Sequence, residues 1–332
     1  MTKESSSADR NWPIGKVAGV LVLLLIVVIG GLGAYWSWQP EWFEITDLEM
    51  TNPDIDTKEA LKTPGVATVS TTIKLAETLL DKPGGYLSND LMPPGVLMDN
   101  MPSWEYGVLQ EVRDSARALR NEFSRSQTQS VESDLVKTAD VKFSFDAHSY
   151  MLPSTEGEYR AGIKTLQRFR AALIAGNDQT ARFFVRADNL RAYLQVVEKR
   201  LGSYAQRLSA SVGDAELVAA FVDPTQAQVL EKTSWYEIDN NFYEARGYAW
   251  ALLHMMQAIS HDFAEVLEGK NAHVSLEQII RDLHGATLRK MSPVVLNGHG
   301  YGLLANHSLV LASYLSRANA AVIDLRVLME RG

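Results

Sequence analysis

The sequence predicts a mainly α-helical protein: one N-terminal transmembrane helix, then an extracytoplasmic multi-helix bundle carrying a long ordered Pro/Gly-rich loop and little or no sheet. Three observations carry this expectation. Residues 17–29 are all apolar or glycine, three later segments place apolar side chains at alternating four- and three-residue steps, and a strand-like alternation is persuasive at one place only.

Composition bounds the answer. With 332 residues, 46% apolar and 22% charged, the chain has material for a sizeable core and is not a disordered protein. A formal charge of -8, with basic residues spread along the chain, offers no field for phosphate backbones, so nucleic acid is not an expected partner. The absence of cysteine excludes disulfides, thiolate metal sites and a cysteine nucleophile.

The uncharged run continues to Trp38, which meets the roughly 20 residues that a helix needs to cross a bilayer. Residues 14–38 are therefore assigned to the span and 1–13 to a cytoplasmic tail. Trp12 on one side and Tyr35, Trp36, Trp38 and Trp42 on the other are placed for the headgroup zones. Lys3, Arg10 and Lys16 precede the run, and no Lys or Arg occurs between residues 17 and 57. The positive-inside rule then puts the N-terminus in the cytoplasm and the main domain on the periplasmic side of a bacterial inner membrane. A cleaved signal peptide is the competing reading, since Gly31, Gly33 and Ala34 follow the apolar run; the run exceeds the ~7–15 residues of a signal core, which favours a retained anchor.

Residues 39–70 carry Pro40, Pro53, Pro64 and Gly65 among acidic side chains without a helical stripe, and read as an acidic tether. The helical extracytoplasmic domain is assigned to 71–332, opening with a short helix over 71–80. Residues 82–103 hold four prolines and three glycines, which forbids a helix. Tyr86, Leu87, Leu91, Met92, Val96, Leu97, Met98 and Met101 are too apolar for a solvated linker, so an ordered loop packed on the body is expected.

Helical signals then repeat. Residues 104–125 place Val108, Val112, Leu119 and Phe123 on one stripe, and Thr155 with Glu158 suggests a capping box for a helix ending at Gly176-Asn177. Leu190, Leu194, Val197, Leu201, Tyr204 and Leu208 form the first heptad-like seam. The second runs through Ile238, Phe242, Ala245, Ala249, Leu252, Met256, Ile259, Phe263 and Val266, and the third through Leu304, Ser308, Leu311, Leu315, Ala318, Val322, Leu325 and Met329. Such repeats keep one face toward a near-parallel partner, and the apolar neighbours widen them into bundle faces. A shorter helix is expected over 275–284 with Ser275 and Gln278 as its capping box, and Val141, Phe143 and Phe145 alternate like a strand.

The run KPGGYLSNDLMPPGVLMDNMPSWEYG, followed by LRNEFSRSQTQS and PSTEGEY, resembles the bacterial membrane family catalogued as domain of unknown function two-three-three-three. The resemblance extends over nearly the whole chain. It implies an uncharacterised envelope protein and supplies no activity and no catalytic residues.

Chemistry-bearing residues gather in few places. Six of the seven histidines fall in the C-terminal third, but His254 and His261 stand seven apart on a helix, roughly 10 Å, too far to share an ion; no metal and no cofactor are expected. Gly298-His299-Gly300-Tyr301-Gly302 lacks the spacing and the Lys of a phosphate loop and reads as the turn before a helix. In the Pro/Gly loop, Asp90 and Asp99 lie with Asn89, Asn100, Tyr86, Trp104 and Glu105, the residue types of a glycan-binding or glycan-cleaving groove and also of ordinary turns. Arg113 and Arg117 follow on the next helix, where they suit an anionic partner or pair with neighbouring acids.

The expected role is thus a membrane-anchored, non-enzymatic binding or scaffold protein for an envelope protein or cell-wall glycan. Tyr86, Asn89, Asp90, Asp99, Asn100, Trp104, Glu105, Arg113 and Arg117 are its candidate recognition residues. A glycan-directed hydrolase using Asp90, Asp99 or Glu105 is the alternative, and an oligomer paired through one seam is a third.

Overall fold

Helix α1, Ile14–Trp36, has nothing but apolar, glycine and aromatic residues beyond Lys16, and its side chains from Val20 to Val28 stand exposed. It is long and apolar enough to cross a membrane. The computed structural model describes residues 14–50, 55–125, 132–176, 178, 181–210, 234, 237–292, 294–298 and 303–330. Among these there are eleven α-helices and no strand, only an isolated bridge between Asn297 and Asn306. After α1 come α2 (Thr57–Ala60), α3 (Val66–Asp81), α4 (Asn100–Ala118), α5 (Asp134–Phe143) and α6 (Thr155–Ala175). The C-terminal half supplies α7 (Ala187–Ala210), α8 (Ile238–Asp262), α9 (Ala264–Gly269), α10 (His273–Thr287) and α11 (His307–Glu330).

The bundle is built around α4 and α8. Two glycines let their backbones meet: a Cβ on Gly107 would fall on the Glu244 carbonyl oxygen, and one on Gly247 on that of Trp104. Helix α3 packs beside this pair and α6 on α3, α5 lies on α6 and α4, and α10 joins α8 to α11. The first and third seams face each other as α7 and α11. They run antiparallel, because Arg191 pairs with Glu330 (3.1 Å) while Glu198 pairs with Arg326 (2.7 Å). Nearly every seam residue is buried; Leu304, before α11 begins, is exposed.

Several boundaries depart from the sequence expectation. Helix α3 begins at Val66, not at 71, because its first turn is capped from afar: Asp262 at the end of α8 accepts from Thr68 N–H (2.8 Å) and Thr68 Oγ1 (2.7 Å). The expected strand at 141–145 is the end of α5, whose buried residues Val136, Ala139, Asp140 and Phe143 follow helical spacing while Val141 is exposed. Helix α4 starts at Asn100 and closes in a π-turn, Leu119–Phe123. Ser154 rather than Thr155 caps α6, which ends as expected at a left-handed Gly176; Thr155 Oγ1 binds the Asp146 and Ser149 carbonyls instead. Helix α10 starts at His273, so Ser275 and Gln278 lie inside it and form no cap. His299 to Gly302 lie outside the described residues.

The largest departure is the expected tether. Within residues 39–50 and 55–65, Leu48, Ala60 and Leu61 are buried, and Arg170 of α6 donates to the Glu49 carbonyl (3.1 Å). The apolar side chains between the acids have docking sites on α6 and α8, so the segment is a bound strap rather than a free linker.

Candidate functional site

The Pro/Gly loop is fixed at its base by a buried carboxylate. Glu105, on the first turns of α4, meets Lys82 Nζ at 2.5 Å with both side chains sealed from solvent. Its Oε1 accepts from Leu87 N–H (2.9 Å), and its Oε2 from Ser88 N–H (2.9 Å) and Ser88 Oγ (2.5 Å). Burial pushes the Glu105 pKa up against the pull of Lys82 and these donors. Lys82 also donates to the Gly85 carbonyl, closing the turn that Gly84 and Gly85 make at positive φ.

Around this base the loop is stitched to the segment before α6. Tyr86 is buried edge-on to Tyr159 and donates to the Ala147 carbonyl (3.0 Å); its pKa is raised chiefly by burial. Asn89 Nδ2 donates to the Ser149 carbonyl and to Glu156 Oε2 (3.0 Å each). Asp90, partly exposed, has its pKa raised by burial and by Glu156, against Lys82.

The nine candidate residues therefore divide. Tyr86, Asn89, Trp104 and Glu105 are buried; the Trp104 ring lies against Trp250 (5.2 Å) in the core rather than at a recognition surface. Arg113 holds the end of α5, donating to the Phe143 and Phe145 carbonyls (2.8 Å each). Asp99 accepts from Asn100 N–H (2.9 Å) and begins α4, with Asn100 half-buried behind it. Asp90, Asp99 and Arg117 face solvent at least in part, and none of the three lines the cavity of about 370 Å³ beside the start of α7 or that of about 350 Å³ beside α6. Among the described residues no group of three His, Asp or Glu is placed to hold a metal ion.

What sequence reasoning missed is a second site, where the chain leaving α1 is bolted to the domain. Arg246, buried in α8, donates to Gln39 Oε1 (2.8 Å) and to the last carbonyls of α10, Ala286 (3.3 Å) and Thr287 (2.8 Å); burial lowers its pKa to about 10. Trp42 donates from Nε1 to Thr287 Oγ1 (3.2 Å) and lies against His284. Phe43 stacks on His254 at 3.9 Å, and its N–H donates to His254 Nε2 (3.1 Å). His254 Nδ1 lies 2.7 Å from the Trp250 carbonyl, so the ring donates there and is neutral, and burial lowers its pKa to about 4. The histidine weighed as a metal ligand is a strut.

An apolar helix long enough to cross a membrane, joined through a docked strap to a helical bundle with an ordered Pro/Gly loop, defines the class of helical protein to which this chain belongs. The chain belongs to the family described as an uncharacterized protein conserved in bacteria (DUF2333), which matches residues 8–332. No curated protein and no solved structure matches it.

Proposed function

We propose that this chain is a single-span protein of the bacterial inner membrane with its N-terminus in the cytoplasm. Its helical domain then stands in the periplasm as a non-enzymatic binding or scaffold protein for another envelope protein or a cell-wall glycan. The observation that carries this reading is the joint at Gln39, Trp42 and Phe43, which couples the span to α8 and α10. A tether would suffice to keep an enzyme near a membrane, whereas a fixed joint sets height and orientation, which a scaffold needs. The carboxylates weighed for glycan cleavage support the same reading, since Glu105 is sealed against Lys82 and Asp99 begins a helix.

Topology is tested by a reporter active only outside the cytoplasm, fused after Gly332; it is expected to be active on a chain that retains its N-terminus. A soluble product beginning near Tyr35 would overturn the anchor. The scaffold role is tested by photo-crosslinkers at the exposed positions Asp99 and Arg117 in intact cells. A defined adduct is expected, and a flexible insert after Gln39 should abolish it; an adduct indifferent to the insert argues against a fixed posture.

A further inference from the structure

The loop held by Glu105 ends in a tip that folding alone does not explain. Leu91, Met92, Val96 and Leu97 are 65%, 74%, 51% and 72% exposed, four large apolar side chains within seven residues. The tip is nonetheless ordered. Val96 N–H donates to the Met92 carbonyl (3.1 Å), Leu97 N–H to Pro94 (2.9 Å) and Met98 N–H to Gly95 (2.9 Å), and the Asp90 carboxylate occupies the space where a Cβ on Gly95 would be. An ordered patch of this kind marks a surface with a partner.

Its neighbour identifies the partner. Pro94, in the middle of the tip, lies against α1 at Gly33, 3.6 Å from where a Cβ there would stand. The Trp36 indole covers Gly84 so closely, 2.7 Å from the Cβ position, that only glycine fits, and Gly84 has φ +87° as well. The 23 residues of α1 span ~34 Å by helical rise, a few Å more than the ~30 Å of a hydrocarbon core. Gly33, three residues inside the Trp36 end, therefore lies close to the outer hydrocarbon boundary, and the tip lies beside it. Another exposed apolar side chain follows a contact with the same helix end: Arg289 stacks on Trp38 (4.2 Å), and Met291, two residues on, is 96% exposed.

We propose that the tip formed by Leu91, Met92, Val96 and Leu97 inserts into the outer leaflet of the bilayer that α1 crosses, as a monotopic wedge beside the span. This inference rests on the anchor reading above. The backbone chemistry suits it, because lipid offers no hydrogen bonds and the N–H groups of Val96, Leu97 and Met98 are already satisfied within the tip. The wedge and α1 then fix the domain to the membrane at two points, with insertion to the ~5–10 Å depth typical of interfacial segments.

The native chain has no cysteine, so single cysteines report cleanly. Full-length protein in phosphatidylethanolamine and phosphatidylglycerol vesicles would carry an environment-sensitive fluorophore at Met92→Cys or Leu97→Cys. Leu23→Cys in α1 serves as the lipid control and Lys199→Cys in α7 as the aqueous control. The expected result is a blue-shifted label at 92 and 97, quenched by spin-labelled lipid as at 23, with iodide quenching reduced at least fivefold relative to 199. Labels at 92 and 97 quenched by iodide like that at 199, with 23 still in lipid, overturn the wedge and leave the anchor standing. Labels shielded from both iodide and lipid quencher mean that protein covers the tip, which also overturns it. A label at 23 open to iodide overturns anchor and wedge together.

Discussion

His254 and Glu111 are buried ionisable side chains whose protonation follows from their neighbours, and they bend the stability profile in opposite directions. His254 has its pKa lowered to about 4 by burial, while an unfolded histidine titrates near 6.5. Below 6.5 the unfolded chain binds the extra proton, so stability is full above that pH and falls as pH drops toward 4, by roughly 3 kcal/mol in total. His254→Gln should flatten this acid limb in chemical denaturation measured from pH 4 to 7; an unchanged limb would show that His254 is not its source. Glu111 is sealed in α4, where Tyr193 Oη (2.6 Å) and Ser115 Oγ (2.7 Å) donate to it, and burial followed by the charge of Asp114 pushes its pKa up to about 8. Here the folded state holds the proton, so stability falls as pH rises from about 4.5 to 8, by on the order of 3 kcal/mol at pH 7. Glu111→Gln should therefore stabilise at pH 8 and change little at pH 4.5, and the same melts at two pH values decide it. His254 was visible in the sequence as a histidine of interest, but its partner Phe43 lies 211 residues away. Spacing along a helix carries no information at that range.

At the scale of elements, the apolar period was the reliable signal. The seams of α7, α8 and α11 are buried where the four-and-three steps place them, because each helix presents a continuous face to a neighbour and few registers can bury it. Leu252 and Ile259, both 0% exposed, should each cost about 2–5 kcal/mol when cut to Ala, and a loss below ~0.5 kcal/mol in urea unfolding would contradict their core placement. Short patterns failed where long ones held. Val141, Phe143 and Phe145 alternate over only five residues, and the helical stripe from Val136 through Ala139 to Phe143 outlasts them. The close backbone contact between α4 and α8 was also invisible, since nothing in the local sequence marks Gly107 and Gly247 as the crossing point. Either Gly→Ala change puts a methyl onto a backbone carbonyl that cannot move aside, so a loss of about 1–3 kcal/mol or more is expected, against the small gain Ala normally gives within a helix. A rise in melting temperature for either variant would contradict this close approach of α4 and α8.

In the whole molecule, the strap determines how α1 and the bundle are held together. Residues 39–70 read as a tether because prolines and acids dominate locally, while Trp42 beside a span suggested a headgroup anchor. Its actual partners, Thr287 and His284, and those of Phe43 and Gln39 on α8, come from the far end of the chain. The docked strap ties the chain leaving α1 to α8, which packs against α4 at the centre of the bundle. Phe43 is the contact to test, since it stacks on His254, lies edge-on to Trp250 at 5.9 Å and is flanked by the exposed Glu41 and Glu44. Phe43→Ala removes the ring but leaves the backbone N–H, so the bundle should keep its fold while the strap opens more often, as local unfolding permits. A Glu-specific protease acting on the full-length protein should then cut after Glu41, Glu44 or Glu49 at least ten times faster than in wild type, with the circular dichroism melt of the bundle displaced by only a few degrees. Equal cutting rates would mean that Phe43 does not hold the strap, and that Gln39 with Arg246 and Trp42 with Thr287 carry the joint.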